Sequence, residues 1–334
     1  QGRMGSDALL TAEPIRKPVT DPENLMEGVG LAYNKGKAVL AMFEHHMGEE
    51  PFRQAVQAYM QEHAWGNTVA KDLWDALDKA GQGKVSDGLA TFIEQPGLPL
   101  LTVEADEKGK VKFTQTRFTN FGVEAPNAKW RIPVSVKASV GGEIVTESLY
   151  LTGSNATLKF DQKPDWVYPN EGARGYYRWQ TDSGSLANLT DDAVEALTPV
   201  ERVELIGNIN ALLQSGAIPG DAYLAALSRL ADDPEPMVVR EVVDALGSVK
   251  TAFVSADLEK DFAAYLQRTL GPVAERFGIK AKSGEKETVS ILRPSLIALL
   301  GEEGRDQEIL DYATKVARTY MQTPDAVDQS LAGI

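Results

Sequence analysis

Three histidines and no cysteine among 334 residues exclude thiolate chemistry and leave metal chemistry few places to reside. Glu44-His45-His46, with Glu49-Glu50 nearby, is the cluster with suitable donor types. A helical zinc site needs its ligands on one face, as in His-Glu-x-x-His, where the histidines stand four residues apart. His45 and His46 are adjacent, so on a helix they point about 100° apart. They read as polar residues on a solvated helix face; an independent metal site built from Glu44, His45 and His46 is the alternative. His63, before a turn at Gly66-Asn67, reads the same way. No Ser/His/Asp arrangement stands out, and no Gly-x-Ser-x-Gly elbow or Gly-rich phosphate loop is present. Gly81-Gln82-Gly83-Lys84 reads as a helix stop.

The elements around these residues change period twice. Residues 1 to about 98 read as helical. Val39, Met42, Phe43 and Met47 give an apolar stripe from Tyr33 to Met47, with Gly48 as its stop. Pro51, Phe52, Val56 and Tyr59 continue the helical spacing, and Thr68 with Asp72 begins a further helix closed by Gly81. Gln95-Pro96-Gly97-Leu98-Pro99 is a rigid turn, because two prolines and a glycine do not sit inside a helix. From about 100 to 182 the period becomes two, through Leu101, Val103, Val111, Phe113, Ile132, Val134 and Val136. Gly141-Gly142 is a two-residue hairpin signal. Six or seven short strands in this stretch fit a small β-sandwich. Helical spacing then returns, with Thr190 and Asp191-Asp192 as a start signal, and persists to Leu331-Ala332-Gly333-Ile334. These short helices, with turns at Pro219-Gly220, Pro234-Glu235-Pro236 and 301–304, look like antiparallel pairs in a solenoid.

One segment carries more information than its composition. A tyrosine at a helix start, such as Tyr33 in Ala32-Tyr33-Asn34-Lys35-Gly36, ordinarily serves a core or rim. Here it heads an ordered string. Met47-Gly48-Glu49-Glu50-Pro51-Phe52 follows, then Tyr59, Trp65-Gly66-Asn67-Thr68, Asp72-Leu73-Trp74 with Ala76-Leu77, and Gln95-Pro96-Gly97 with Pro99. Asp7-Ala8-Leu9 and Pro14-Ile15 with Pro18-Val19 precede it, and Asn170 with Gly175-Tyr176-Tyr177-Arg178 closes the strand region. This order closely resembles the aminopeptidase N family of zinc peptidases. The match thins in the tail to Leu197, Glu201-Arg202 and the general helical layout.

The resemblance implies a fold and a role. The expected architecture is multidomain α and β: the helical half of a thermolysin-like catalytic domain at 1–98, a β-sandwich at 99–184, and an α-helical superhelix of ARM/HEAT type at 185–334. In that family the tyrosine matching Tyr33 stabilises the tetrahedral intermediate of peptide hydrolysis. A phenol keeps its proton at neutral pH and can donate a hydrogen bond to the developing oxyanion. The family's zinc ligands and its Gly-x-Met-Glu-Asn-type amine site lie upstream of this tyrosine, and neither motif occurs before Tyr33 here. The resulting reading is the C-terminal portion of a zinc aminopeptidase, inactive alone, without metal or other cofactor in this chain and with one zinc in the whole protein. Its partners would be a peptide substrate, the remaining catalytic half, and a second copy through exposed helical surface. The alternative is a non-catalytic binding scaffold built from sandwich and solenoid.

Charge narrows the partners further. With 34 Lys plus Arg against 48 Asp plus Glu, the net charge is −14, which disfavours nucleic acid and anionic membrane surfaces. No apolar run approaches the roughly 18 residues a membrane helix needs. Gln1-Gly2-Arg3-Met4 shows no basic-then-apolar signal segment. A soluble protein of the cytoplasm or periplasm is the expectation.

Overall fold

A computed structural model describes residues 2–17, 29–81, 85–282 and 284–331. Pro18, Val19, residues 82–84 and residues 332–334, all named in the sequence reading, lie outside this set. The chain divides into two compact units, Gln1–Leu189 with Ala211–Ile218, and Thr190–Asn210 with Pro219–Ile334.

The first unit opens with helices. A short α1 (Gly2–Asp7) precedes α2 (Val29–Met47), whose stripe of Val39, Met42 and Phe43 is buried, and which ends at Gly48 with φ 87°. A side chain at that φ would be strained, so glycine suits the stop. α3 (Glu49–Glu62) and α4 (Ala70–Ala80) pack together. Asp72 begins α4 by accepting the Val69 amide at 2.9 Å, which places the cap one residue later than Thr68. A further helix, α5 (Val85–Ile93), follows where the sequence offered only a stop. Val85, Leu89 and Phe92 are buried at helical spacing, and Asp78 receives the Ser86 amide at 2.8 Å and its hydroxyl at 2.5 Å.

Among the described residues, seven strands then build two sheets. β1 (Pro99–Ala105), β2 (Lys110–Arg117), β5 (Asn155–Lys159) and β7 (Arg178–Gln180) form one sheet in the order β5-β2-β1-β7. β3 (Ile132–Val140), β4 (Glu143–Leu151) and β6 (Trp166–Tyr168) form the other in the order β4-β3-β6. Only β1 and β7 run parallel; the other pairs are antiparallel. Alternate residues Leu101, Val103, Val111, Phe113, Val134 and Val136 are buried, as period-two patterning requires. Tyr168 and Trp179, one from each sheet, meet edge to face at 5.6 Å. The Gly141-Gly142 hairpin has φ 62° and 83° and fixes the β3–β4 register. The helices rest on this sandwich through Phe92, whose ring lies 6.4 Å from those of Phe43 and Trp130 and 6.5 Å from Tyr176.

The second unit is helical, although residues 183–189 and 211–218 of this helical stretch belong to the first. α6 (Ser183–Ala196) starts earlier than the Thr190–Asp192 signal: Asp182 accepts the Ser185 amide at 3.0 Å, and Thr190 is buried in mid-helix. The same acceptor chemistry at Asp182, eight residues upstream of Thr190, outcompetes the internal one. α7 (Pro199–Ser215), α8 (Gly220–Leu230), α9 (Pro236–Phe253), α10 (Glu259–Phe277), α11 (Glu287–Ala298) and α12 (Gln307–Gln322) follow. α8 packs on α9, and α11 contacts both α9 and α10. Among the described residues no helix is long and apolar enough to cross a membrane.

Gly109 tests the sandwich most directly. Its φ is +77°, and an added Cβ would stand 2.5 Å from the Phe160 carbonyl oxygen and 2.6 Å from that of Gln162. Gly109→Ala is expected to destabilise the first unit by about 1–3 kcal/mol in denaturant titration followed by tryptophan fluorescence. Gly142→Ala, with open space around it, is expected to cost less.

Candidate active-site segment

Tyr33 stands in the first half of α2 with its side chain 77% exposed. Two residues further on, Lys35 is completely buried, and so is its partner Asp7. The Lys35 ammonium lies 2.9 Å from Asp7 Oδ2 and donates to the carbonyl oxygens of Gly97 at 3.0 Å and Gln95 at 3.3 Å. It also lies 5.6 Å from the centre of the Tyr176 ring. Asp7 in turn accepts the Gly97 amide at 3.0 Å and the Tyr176 hydroxyl at 3.2 Å. The Tyr176 amide meets Met42 Sδ at 3.4 Å. Four segments remote in sequence therefore converge on one ion pair: α1, α2, the 95–99 turn and the 170–178 stretch.

The electrostatics follow from burial. Desolvation pushes the Lys35 ammonium below its usual pKa, while Asp7 pulls in the opposite direction. Burial and then Asp7 push the Tyr176 phenol well above the usual tyrosine range, so it stays a donor. Gly97 completes the arrangement at φ 89°, where an added Cβ would fall 2.5 Å from Arg117 Nε. Arg117 Nη2 donates to the Leu9 carbonyl at 3.1 Å, which fastens the segment after α1.

The histidines do not converge on one another. His45 Nε2 lies 2.9 Å from Glu171 Oε2. His46 stacks on Tyr150 with ring centres 5.3 Å apart, and His63 lies against Tyr59 at 5.4 Å. Among the described residues no group of three or more His, Cys, Asp or Glu is placed to hold a metal ion. The donors present do not fit a zinc site. Tyr59, quoted in the motif string, bonds Thr68 through their hydroxyls at 2.7 Å and so ties α3 to the turn before α4. Asn170 Oδ1 accepts the Gly175 amide at 2.7 Å, and the Tyr177 hydroxyl donates to the Pro169 carbonyl at 2.7 Å. These motif residues shape the stretch that carries Tyr176.

Family models match both ends of the chain. The "Peptidase family M1 domain" covers residues 1–94, and the "ERAP1-like C-terminal domain" covers residues 166–334. The chain belongs to the M1 aminopeptidase family. Tricorn protease-interacting factor F2 of Thermoplasma acidophilum is 26% identical over 99% of this chain and 40% of its own length. Aminopeptidase 2 of Candida albicans is 30% identical over 77% of this chain and 28% of its own. Aminopeptidase N of Lactococcus lactis is 23% identical over 98% of this chain and 39% of its own. The M1 chain thus spans two fifths or less of the length of these curated relatives. M1 aminopeptidases are zinc-dependent enzymes.

Lys35, Asp7 and Tyr176 each belong to the motif string, but sequence order alone does not bring them together. The sequence signal is phase: Lys35, Val39, Met42 and Phe43 share one helical face, so a lysine occupies the buried stripe.

The stacked His46 gives a pH test. Partial desolvation against Tyr150, and then the charge of His45, lower the pKa of this otherwise exposed ring from 6.5. The unfolded chain therefore takes up the proton first as pH falls. His46 contributes fully above pH 6.5, and that contribution is lost between 6.5 and its lowered midpoint. His46→Phe, which keeps the ring against Tyr150, is expected to flatten this part of the stability profile. An NMR titration of His46 with a midpoint at or above 6.5 would contradict the assignment.

Proposed function

We propose that this chain is the C-terminal portion of a zinc aminopeptidase that removes N-terminal residues from peptides, and that Tyr33 is its contribution to catalysis. The observation that carries the reading is the exposed Tyr33 phenol, set on α2 directly across from a buried clamp, within the segment matched by the M1 domain model. Peptide hydrolysis passes through a tetrahedral species with negative charge on the former carbonyl oxygen. The Tyr33 hydroxyl donates a hydrogen bond to that oxygen, an interaction that strengthens as charge develops. Zinc, when bound, supplies Lewis-acid chemistry to such a reaction. In this proposal its ligands belong to the rest of the whole protein, since the described residues here do not form a site for it.

The remaining proposals concern organisation. The chain comprises a helical half of the catalytic domain at 1–98, a β-sandwich at 99–184 and a helical C-terminal domain at 185–334, the last extending as an ARM/HEAT-like superhelix. Met60, Trp65 and Val69 are exposed around the α3–α4 turn. We assign this helical half a surface on which the other catalytic half, or a second copy, packs.

Two measurements test the assignment. Purified chain is expected to hold no stoichiometric zinc by elemental analysis; one tightly held zinc lost on mutating His45 and His46 would refute the composite site. In the full-length protein, Tyr33→Phe is expected to lower kcat by about two orders of magnitude with little change in KM, because the lost hydrogen bond forms mainly in the transition state. Its stability effect should stay near 1 kcal/mol or below, since the ring is retained and exposed. A variant keeping more than about half the wild-type kcat removes Tyr33 from the mechanism.

A further inference from the structure

Residues two apart on an α-helix leave it about 200° apart, so Tyr33 and Lys35 point in nearly opposite directions. Their exposures, 77% and 0%, follow from this. On the buried side the Lys35 nitrogen is surrounded by three oxygens from two other segments, Asp7 Oδ2 on α1 and the Gln95 and Gly97 carbonyls on the turn into β1. Burial works against that ammonium. An apolar side chain of similar length would fill the space without this penalty, and replacing buried ion pairs by apolar groups is often neutral or stabilising. What an apolar residue lacks is direction. Dispersion contacts tolerate a few degrees of helix rotation, whereas three oxygens around one nitrogen constrain where that nitrogen sits.

We propose that Lys35 is a positioning residue for Tyr33: held by Asp7 and the 95–97 carbonyls, it sets the rotation of α2 about its axis and thereby the direction of the Tyr33 phenol. The inference rests on the role given to Tyr33 above. Asp7 extends the clamp, because the Gly97 amide and the Tyr176 hydroxyl fix the carboxylate that fixes Lys35. Tyr176 extends it again, because its amide meets Met42 on the next turns of the same helix. α2 is therefore held at two points of one face while the opposite face carries the reactive hydroxyl. A small angular error at the helix axis becomes a larger displacement at the end of a tyrosine, and displacement of about 1 Å can cost about a hundredfold in rate.

The test removes both charges at once with Lys35→Met/Asp7→Asn, so that neither is left buried alone. The chain is labelled with 3-fluorotyrosine, and the Tyr33 resonance is assigned by its loss in Tyr33→Phe. Val136→Ala, a buried truncation in β3, serves as a comparably destabilised control. In the folded double variant the Tyr33 resonance is expected to shift and broaden, while the control leaves it in place. In the full-length enzyme the double variant should lose about tenfold or more in kcat with KM held within about twofold. An unchanged Tyr33 resonance in the folded double variant overturns the proposal. So does a shifted resonance with undiminished kcat in a protein that Tyr33→Phe inactivates. If instead Tyr33→Phe retains full kcat, the catalytic role fails and the resonance alone decides the positioning. Should the double variant not fold, Tyr176→Phe, which deletes only the hydroxyl on Asp7, carries the same forecast in smaller measure, with the same overturning result.

Discussion

A lysine ammonium with no solvent exposure is an expensive object, and the first unit is organised around one. Lys35 is affordable only because Asp7, two carbonyls and the face of Tyr176 replace its water. Removing any one partner leaves charge or hydrogen-bonding capacity buried and unmet, which costs on the order of 3–5 kcal/mol for a broken buried pair. The clamp is accordingly cooperative. α1, α2, the 95–99 turn and the Tyr176 stretch must arrive together, and this couples helices to sandwich within one compact unit.

Backbone conformation serves the same end. Gly97 adopts φ 89° so that its amide faces Asp7 while its carbonyl faces Lys35, with Arg117 packed where a Cβ would stand. A single peptide stretch thus donates to the anion and accepts from the cation of the same pair. The aromatic contacts of Phe92 with Phe43, Trp130 and Tyr176 then close the apolar side of the joint. Direction comes from the polar contacts and bulk from the rings. Neither alone would join α2 to the 95–99 turn in one arrangement.

Much of this was legible in the residues. The change of period near 100 and its return near 183 marked the strands and helices, because alternation and 3.6-residue spacing are imposed by which faces are buried. The Gly141-Gly142 hairpin and the Gly48 stop were readable because positive φ selects glycine. α5 was hidden by the Gly81 and Gly83 punctuation just before it, and β7 by its three-residue length. The start of α6 was misplaced because Thr190 and Asp191 imitate a cap that Asp182 actually provides. Tyr33 was named from its motif, but its support was not, since an ion pair between residues 7 and 35 that also grips residues 95 and 97 has no local signature. Only the phase of Lys35 on the apolar stripe hinted at it.

The same device recurs through the molecule and explains where an acidic chain uses its scarcer cations. A helix ends with carbonyls that lack partners and with partial negative charge. Lys35 meets the Gln95 and Gly97 carbonyls just past the end of α5. Arg202 donates to the Leu197 carbonyl past α6 at 2.5 Å and pairs with buried Asp233 at 2.5 Å. Arg276 reaches the carbonyls of Ala231 and Asp233 past α8 at 3.3 and 2.8 Å. Arg293 donates to the Gly278 carbonyl past α10 at 3.0 Å and pairs with Glu285. In each case a basic side chain from a different helix terminates a helix, where a local cap would have fixed only that helix's own end. The cation thereby does two things at once: it binds carbonyls at or just past a helix end, and it fixes one helix against another segment. In the proposed mechanism the second effect acquires a chemical consequence at α2, because the helix so fixed is the one that carries Tyr33.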